Sequence, residues 1–452
     1  MAFRISFRSR NRRSLRSLST KAHLELERLE DRALPSAGYQ QFNLVGFQPG
    51  MARYTDPTLN GWGLAFEPDG HFWVADTATG VSTVYNHQGQ PQAMVVTIPG
   101  GLPTGIVYNP TSDFVISKNG KSGPAEFIFD TIGGTISGWN PTVDPTNAVV
   151  MINNSTEPIP AAYFGIVIAQ NSAGHNVLYA ADANNDRIDM FDGALKSLGS
   201  FADPSVATQY PGNVAYQVEN VNNRLFVTYV SFGAPPFGGV VDVFDADGHL
   251  LTPNHFVANG PGAGPLYNPW GITQAPANFG TFSNDILIGN VENGLINAFN
   301  PKTGAFVGTL AHPDGTPIVI PGLWDLAFGD GSPANGKTNE LFFTAGPNAV
   351  TFTGNGLFGE IIAAGDQAGS SATSMAIPAL ANLGQGKASA PTYAVIATQQ
   401  LQRATRPMSA LRDSGFASNQ IAVSAAPPHH IVTAKTIDLA PADWNDDFGL
   451  VG

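Results

Sequence analysis

Three tryptophans and two carboxylates stand where they could do chemistry. Trp62, Trp270 and Trp324 each open a short apolar segment, and Thr104 and Phe164 take the same place in two more. A tryptophan so placed is a platform for a sugar or another flat ligand, because it joins a large apolar face to one N–H donor. The alternative use of these rings is packing between neighbouring segments. Glu67 follows the first segment closely, and Asp325 lies inside the last. Carboxylates can hold a divalent cation, but a hard cation wants roughly six to eight oxygens, and two side chains fall short of that. Asp325 is the most unusual of the set, because four other segments carry Gly at its position. Its plainer use is as a capped or solvated carboxylate.

The remaining candidates are weaker. Asp182-x-Asn184-x-Asp186 opens like a calcium loop but lacks the Gly at the sixth place and the Glu at the twelfth. His71, His87 and His249 sit in or beside turns. Gly260-Pro261-Gly262-Ala263-Gly264-Pro265 precedes no helix, so it is a loop and not a phosphate cradle. The chain has no Cys, which excludes disulfides and thiolate chemistry. The expectation is a non-enzymatic protein without a cofactor, with a divalent cation as the alternative.

The elements that must position these residues are short strands. In Leu178–Phe201 an apolar run meets Asp182–Asp186, then Ile188, Met190 and Phe191, then Asp192-Gly193. Asn and Asp tolerate positive φ, so each polar cluster is a hairpin turn between strands. The first full repeat has Asp69-Gly70, Thr79-Gly80 and Gln88-Gly89 at its turns. The anchors Trp62-Gly63-Leu64-Ala65, Thr104-Gly105-Ile106-Val107, Phe164-Gly165-Ile166-Val167, Trp270-Gly271-Ile272-Thr273 and Trp324-Asp325-Leu326-Ala327 open successive repeats. A weaker one is Asn213-Val214-Ala215-Tyr216. Their spacing, roughly 40–60 residues, predicts an all-β ring of about six four-stranded antiparallel blades, a β-propeller. The last repeat is one strand short, and Phe42–Phe47 lacks a local partner. Placing that strand in the last blade closes the ring and leaves no open edge. The three tryptophans and Asp325 then face the central channel.

Several stretches resemble known families. Asp182, Asn185, Arg187, Ile188 and Phe191 match the positions of an NHL-type propeller repeat. Asn268-Pro269-Trp270-Gly271-Ile272, Thr55-Asp56-Pro57 before Trp62, and Gly356-Leu357-Phe358-Gly359 resemble exported bacterial proteins of unknown function related to NHL and lactonase-type propellers. That resemblance implies a fold over 39–365 and no reaction. Lactonase-type propellers hold a divalent cation with channel Glu, Asn and Asp; streptogramin-lyase-like ones need a channel His and acid, which this chain does not offer. Leu29, Glu30, Arg32, Leu34 and Ser36 resemble an LEPR-XLL-type N-terminal motif, which implies export to the cell surface, periplasm or medium.

Charge supports this division. Residues 1–36 carry nine Lys/Arg and four Asp/Glu, and the whole chain is at −13, so the body is strongly acidic and will not bind nucleic acid. Only 13% of residues are charged while Gly (50) and Pro (34) abound, as many short strands and turns require. No apolar run is long enough to span a membrane. Residues 1–38 read as a targeting segment and 366–452 as a disordered, low-complexity tail. The expected protein is a monomeric, exported binding module for an unknown ligand or protein partner. A metal-assisted hydrolase or an envelope scaffold are its alternatives.

Overall fold

A computed structural model of the chain describes residues 38–346 and 356–365. The segments read as targeting sequence and low-complexity tail therefore lie almost wholly outside the described residues. Within them the chain builds six antiparallel sheets in sequence order around one axis, the expected six-bladed β-propeller. Blade one is typical, with strands Gly61–Phe66, Phe72–Asp76, Val81–Tyr85 and Pro91–Thr97 running from the axis outward. Its turns sit at the predicted dipeptides, where Asp69 and Gly80 adopt φ of 59° and 71°. The second strand is buried along its length and the fourth is largely exposed. That gradient follows from stacking, since inner strands are covered by blades on both faces and outer ones meet water.

The inner strands of the other blades are Pro103–Tyr108, Tyr163–Gln170, Asn213–Val221, Pro269–Gln274 and Leu323–Phe328. Each is bulged at its anchor, so two or three residues of the inner strand face fewer on its neighbour. A bulge re-aims side chains, and here it turns the anchor aromatics to the axis. In blade four the bulge falls after Ala215. The anchor there is Tyr216-Gln217-Val218-Glu219, three residues later than the sequence pattern placed it.

Blade six is closed by the N-terminal strand. Tyr39–Gly46 pairs antiparallel with Leu357–Ala363, with Phe42 opposite Glu360, and Tyr54–Thr55 adds a short parallel edge. Tyr39 fixes the end of this strand: its hydroxyl donates to the Phe279 carbonyl and accepts from Phe282 N–H, both at 3.0 Å.

Buried polar residues at the end of the second strands staple the approach to the inner strands. Asp76 accepts from Asn60 N–H, Asp182 from Ala162 N–H and Asn290 from Tyr267 N–H. The calcium-like turn belongs to this scheme, because Asp186 accepts from Ala215 N–H at 2.9 Å and so links blades three and four. These acceptors satisfy backbone donors that lie just ahead of the bulged anchors.

Candidate functional site

The anchor aromatics meet on the axis. Trp62 and Trp324 stack with ring centroids 3.6 Å apart, Trp270 meets Trp324 edge-on at 5.8 Å, and Phe164 lies 6.2 Å from Trp62. Tyr216 completes the cluster against Phe164 at 4.6 Å. The three tryptophans and Phe164 are fully buried. Trp270 reaches across the axis, where its Nε1–H donates to the Phe164 carbonyl at 3.2 Å. The rings are thus brought together on the axis as a plug whose faces are covered by one another. Thr104 has the anchor position without a ring. Its buried hydroxyl bonds Asp130 and the Tyr163 carbonyl, both at 2.8 Å.

Next to the plug the inner strands come very close. A Cβ on Gly63 would lie 2.6 Å from the Thr104 carbonyl oxygen, and one on Gly105 would lie 2.8 Å from Ile166 N. Glycine is required at this neck because a side chain would strike backbone. Only blades four and six place a side chain there, Gln217 and Asp325.

Beyond the neck the inner strands diverge around a cavity of about 630 Å³. Its floor includes Gly105, Gln217, Glu219, Trp270 and Asp325, and its walls carry Tyr108, Asn220, Asn222, Thr273 and Gln274. No Lys, Arg or His is among the described residues that line it. Asp325 is capped rather than free: one oxygen accepts from Leu64 N–H and the other from Leu326 N–H, both at 2.8 Å. Burial still outweighs those bonds and pushes its carboxyl up to about 7. Glu219 is raised well above the usual carboxylate range, first by burial and then by the charge of Asp325. Two carboxyls from different blades therefore share one field at the floor, with no basic partner to settle their charge.

Glu67 lies elsewhere, partly exposed at the wall formed by Tyr108. Burial and the adjoining Glu67 carboxyl push Glu126 up to about 7. Burial, followed by the charges of Glu67 and Glu126, also raises the Tyr108 phenol. Of the residues singled out in the sequence, Asp325 and Trp270 reach the cavity, while Trp62, Thr104, Phe164 and Trp324 are enclosed. Gln217 and Glu219 were missed because the blade-four register was read three residues early. With Tyr216 aligned to the tryptophans, Gln217 falls on the glycine position and Glu219 two places on.

The chain matches no described protein family. Two uncharacterised proteins of Acanthamoeba polyphaga mimivirus are similar to it, one 29% identical over 320 residues (67% of this chain, 75% of that protein) and one 28% identical over 333 residues (69% and 82%). These relatives are viral, whereas the motif resemblances pointed to bacteria. Among solved structures, virginiamycin B lyase from Staphylococcus aureus aligns over 72% of this chain and 98% of its own at 11% identity and a TM-score of 0.41. A gluconolactonase from Xanthomonas campestris aligns over 68% and 87% at 11% identity and a TM-score of 0.42. No reaction or ligand for this chain follows from likenesses of that degree.

Proposed function

We propose that the protein is a binding module whose central cavity takes a small organic cation, such as a primary amine or a guanidinium. The observation that carries this reading is the Glu219–Asp325 pair on a floor without a basic group. A bound cation would neutralise the pair, and a desolvated carboxylate favours a charged donor strongly. Tyr108, partly exposed on the cavity wall, supplies aromatic surface of the kind that accepts alkylammonium groups. The volume suits a drug-sized molecule, and the amides of Asn220, Asn222 and Gln274 offer polar contacts further out. The acidic body would draw cations towards it. The exported location and monomeric state drawn from the sequence belong to the same proposal and rest on the sequence alone.

The test is calorimetric titration of the purified chain with three probe sets: alkylamines and guanidines, neutral sugars, and calcium or manganese. The expected result is saturable amine binding that strengthens as pH rises through about 7, where Asp325 ionises. Glu219→Gln should weaken it at least about tenfold, as loss of a charge-assisted bond does. Binding of a divalent cation in place of amines, lost in the same variant, would turn the reading to a metal-assisted hydrolase. Tighter binding of sugars, unaffected by Glu219→Gln, would overturn it.

A further inference from the structure

Away from the axis, three titratable side chains from three different elements meet inside blade four. Asp203 is the N-cap of the helix Pro204–Gln209, which joins blades three and four. Asp242 lies in the third strand, Gly239–Phe244, and His255 in the connection to the fourth strand, Val257–Asn259. The three side chains are 3%, 0% and 4% exposed. His255 Nδ1 lies 2.8 Å from Asp242 Oδ1 and 3.8 Å from Asp203 Oδ2. The two carboxyls are also within hydrogen-bonding reach of each other.

Capping occupies one oxygen of Asp203, which accepts from Ser205 N–H at 2.8 Å. Its other oxygen, Oδ2 of Asp242, Nε2 of His255 and the Tyr229 hydroxyl are buried without a hydrogen-bond partner. Tyr229 stands beside Asp242 and the backbone of Asp203. Four unpartnered polar atoms in one interior spot is a costly arrangement for a fold that satisfies its buried groups elsewhere. Two touching carboxyls need a proton or a cation between them. No Lys or Arg among the described residues forms an ion pair with either.

We propose that Asp203, Asp242 and His255 form a binding site for a divalent transition-metal ion that ties the helix Pro204–Gln209 to the body of blade four. Each residue offers a donor atom within 4.8 Å of the other two, a spread that small displacements gather around one ion. One imidazole nitrogen with two carboxylate oxygens suits zinc or manganese better than calcium or magnesium, which take oxygen ligands throughout. A second cluster, Asp245, Asp247 and His249, is more exposed, and Asp245 already accepts from the N–H groups of Asp247 and His249 in its turn. It provides an internal control.

The experiment uses the full chain, with elemental analysis of metal content and thermal unfolding before and after dialysis against EDTA. The expected result is one zinc or manganese ion per chain, a melting temperature lowered by roughly 5 °C on chelation, and recovery on adding either ion. Asp203→Asn keeps the helix cap, since Asn caps as well as Asp. That variant and His255→Gln should lose affinity at least about tenfold and lose the thermal shift, while His249→Gln retains both. If the variants fail to fold, cobalt titrated into the parent chain should give the visible absorption of a nitrogen–oxygen site at one equivalent. Less than a tenth of an equivalent of bound metal with no response to chelation overturns the proposal. So does binding that His249→Gln abolishes and Asp203→Asn retains.

Discussion

The Asp325 carboxylate of the last blade accepts the backbone N–H of Leu64 in the first, at 2.8 Å across a separation of 261 residues. The same seam holds two further bonds: Asp325 N–H donates to the Thr344 hydroxyl at 3.1 Å, and that hydroxyl donates to the Trp62 carbonyl. Blades one and six are therefore joined at the axis by side chains, in addition to the outer strand that Tyr39–Gly46 contributes to blade six.

Asp325→Gly restores the residue found at this position in four other blades and deletes the charged acceptor. It should lower stability by about 2–4 kcal/mol, because a buried N–H then loses its charge-assisted partner. Asp325→Asn should cost nearly as much, since only its single amide oxygen can accept, leaving the N–H of Leu64 or of Leu326 facing the amide NH₂. Urea unfolding with an unchanged m-value is the measurement. A glycine variant as stable as the parent would show that the seam rests on strand pairing alone.

Gly63→Ala addresses the neck. The added methyl would lie 2.6 Å from the Thr104 carbonyl oxygen and 3.0 Å from Ile106 N, both on the backbone of the next blade. Backbone cannot rotate away as a side chain can, so blades one and two must separate. The expected loss is about 3 kcal/mol or more, in the range of a forced overpacking. Gly101→Ala is a poor control because its φ is 63°; Gly260→Ala, with open space around its Cβ, should be nearly neutral.

Much of this was legible in the sequence because hairpin chemistry is local. Asp69-Gly70 and Thr79-Gly80 predict turns from two residues each, and the chain places turns there. The missing strand in the last repeat could be inferred from counting, since a ring cannot leave an edge open. The site was harder to read. Trp62, Trp270 and Trp324 could be read either as ligand platforms or as packing between blades, because the sequence gives their position on the strand and says nothing of what covers their faces. Packing around an axis brings rings from five blades within stacking distance of each other, and no local pattern encodes that. Glu219 and Gln217 were hidden by one bulge, since a bulge shifts register without leaving a compositional mark. Asp203, Asp242 and His255 come from three elements of unrelated pattern, so their meeting depends on tertiary structure alone.

Glu360 gives a pH-dependent prediction. Burial and then the charge of Glu340 push its carboxyl from 4.5 to about 7, against the pull of Lys337 and Arg53. The folded state thus holds this proton more tightly than the unfolded chain does. The contribution to stability is fully present below about 4.5 and is lost as pH rises through about 7. Glu360→Gln removes the titration. It should be stabilising by about 1–3 kcal/mol at pH 8.5 and nearly neutral at pH 4. Thermal melts of both proteins across that range are the check; a constant difference at all pH values would assign the effect to packing.

Ring closure yields the last prediction. The strand Tyr39–Gly46 is the fourth strand of blade six, and Tyr39 itself belongs to the buried cluster that also holds Phe279, Leu287, Leu323 and Phe343. Those residues come from blades five and six, so the strand is part of the interface between two blades as well as of one sheet. Deleting residues 39–50 should therefore lower the melting temperature of the whole ring in one cooperative transition, by roughly 10 °C or more. The closing bonds span more than 300 residues, yet loop-closure entropy grows only with the logarithm of length, and the stacked intervening blades already hold most of that order. Tyr39→Phe isolates one part: it keeps the ring and removes the hydroxyl that bonds Phe279 and Phe282, at a cost of about 1–2 kcal/mol. A deletion variant that melts with the parent would mean that five closed blades suffice. A variant that loses only a small early transition would mean that the strand stabilises blade six alone.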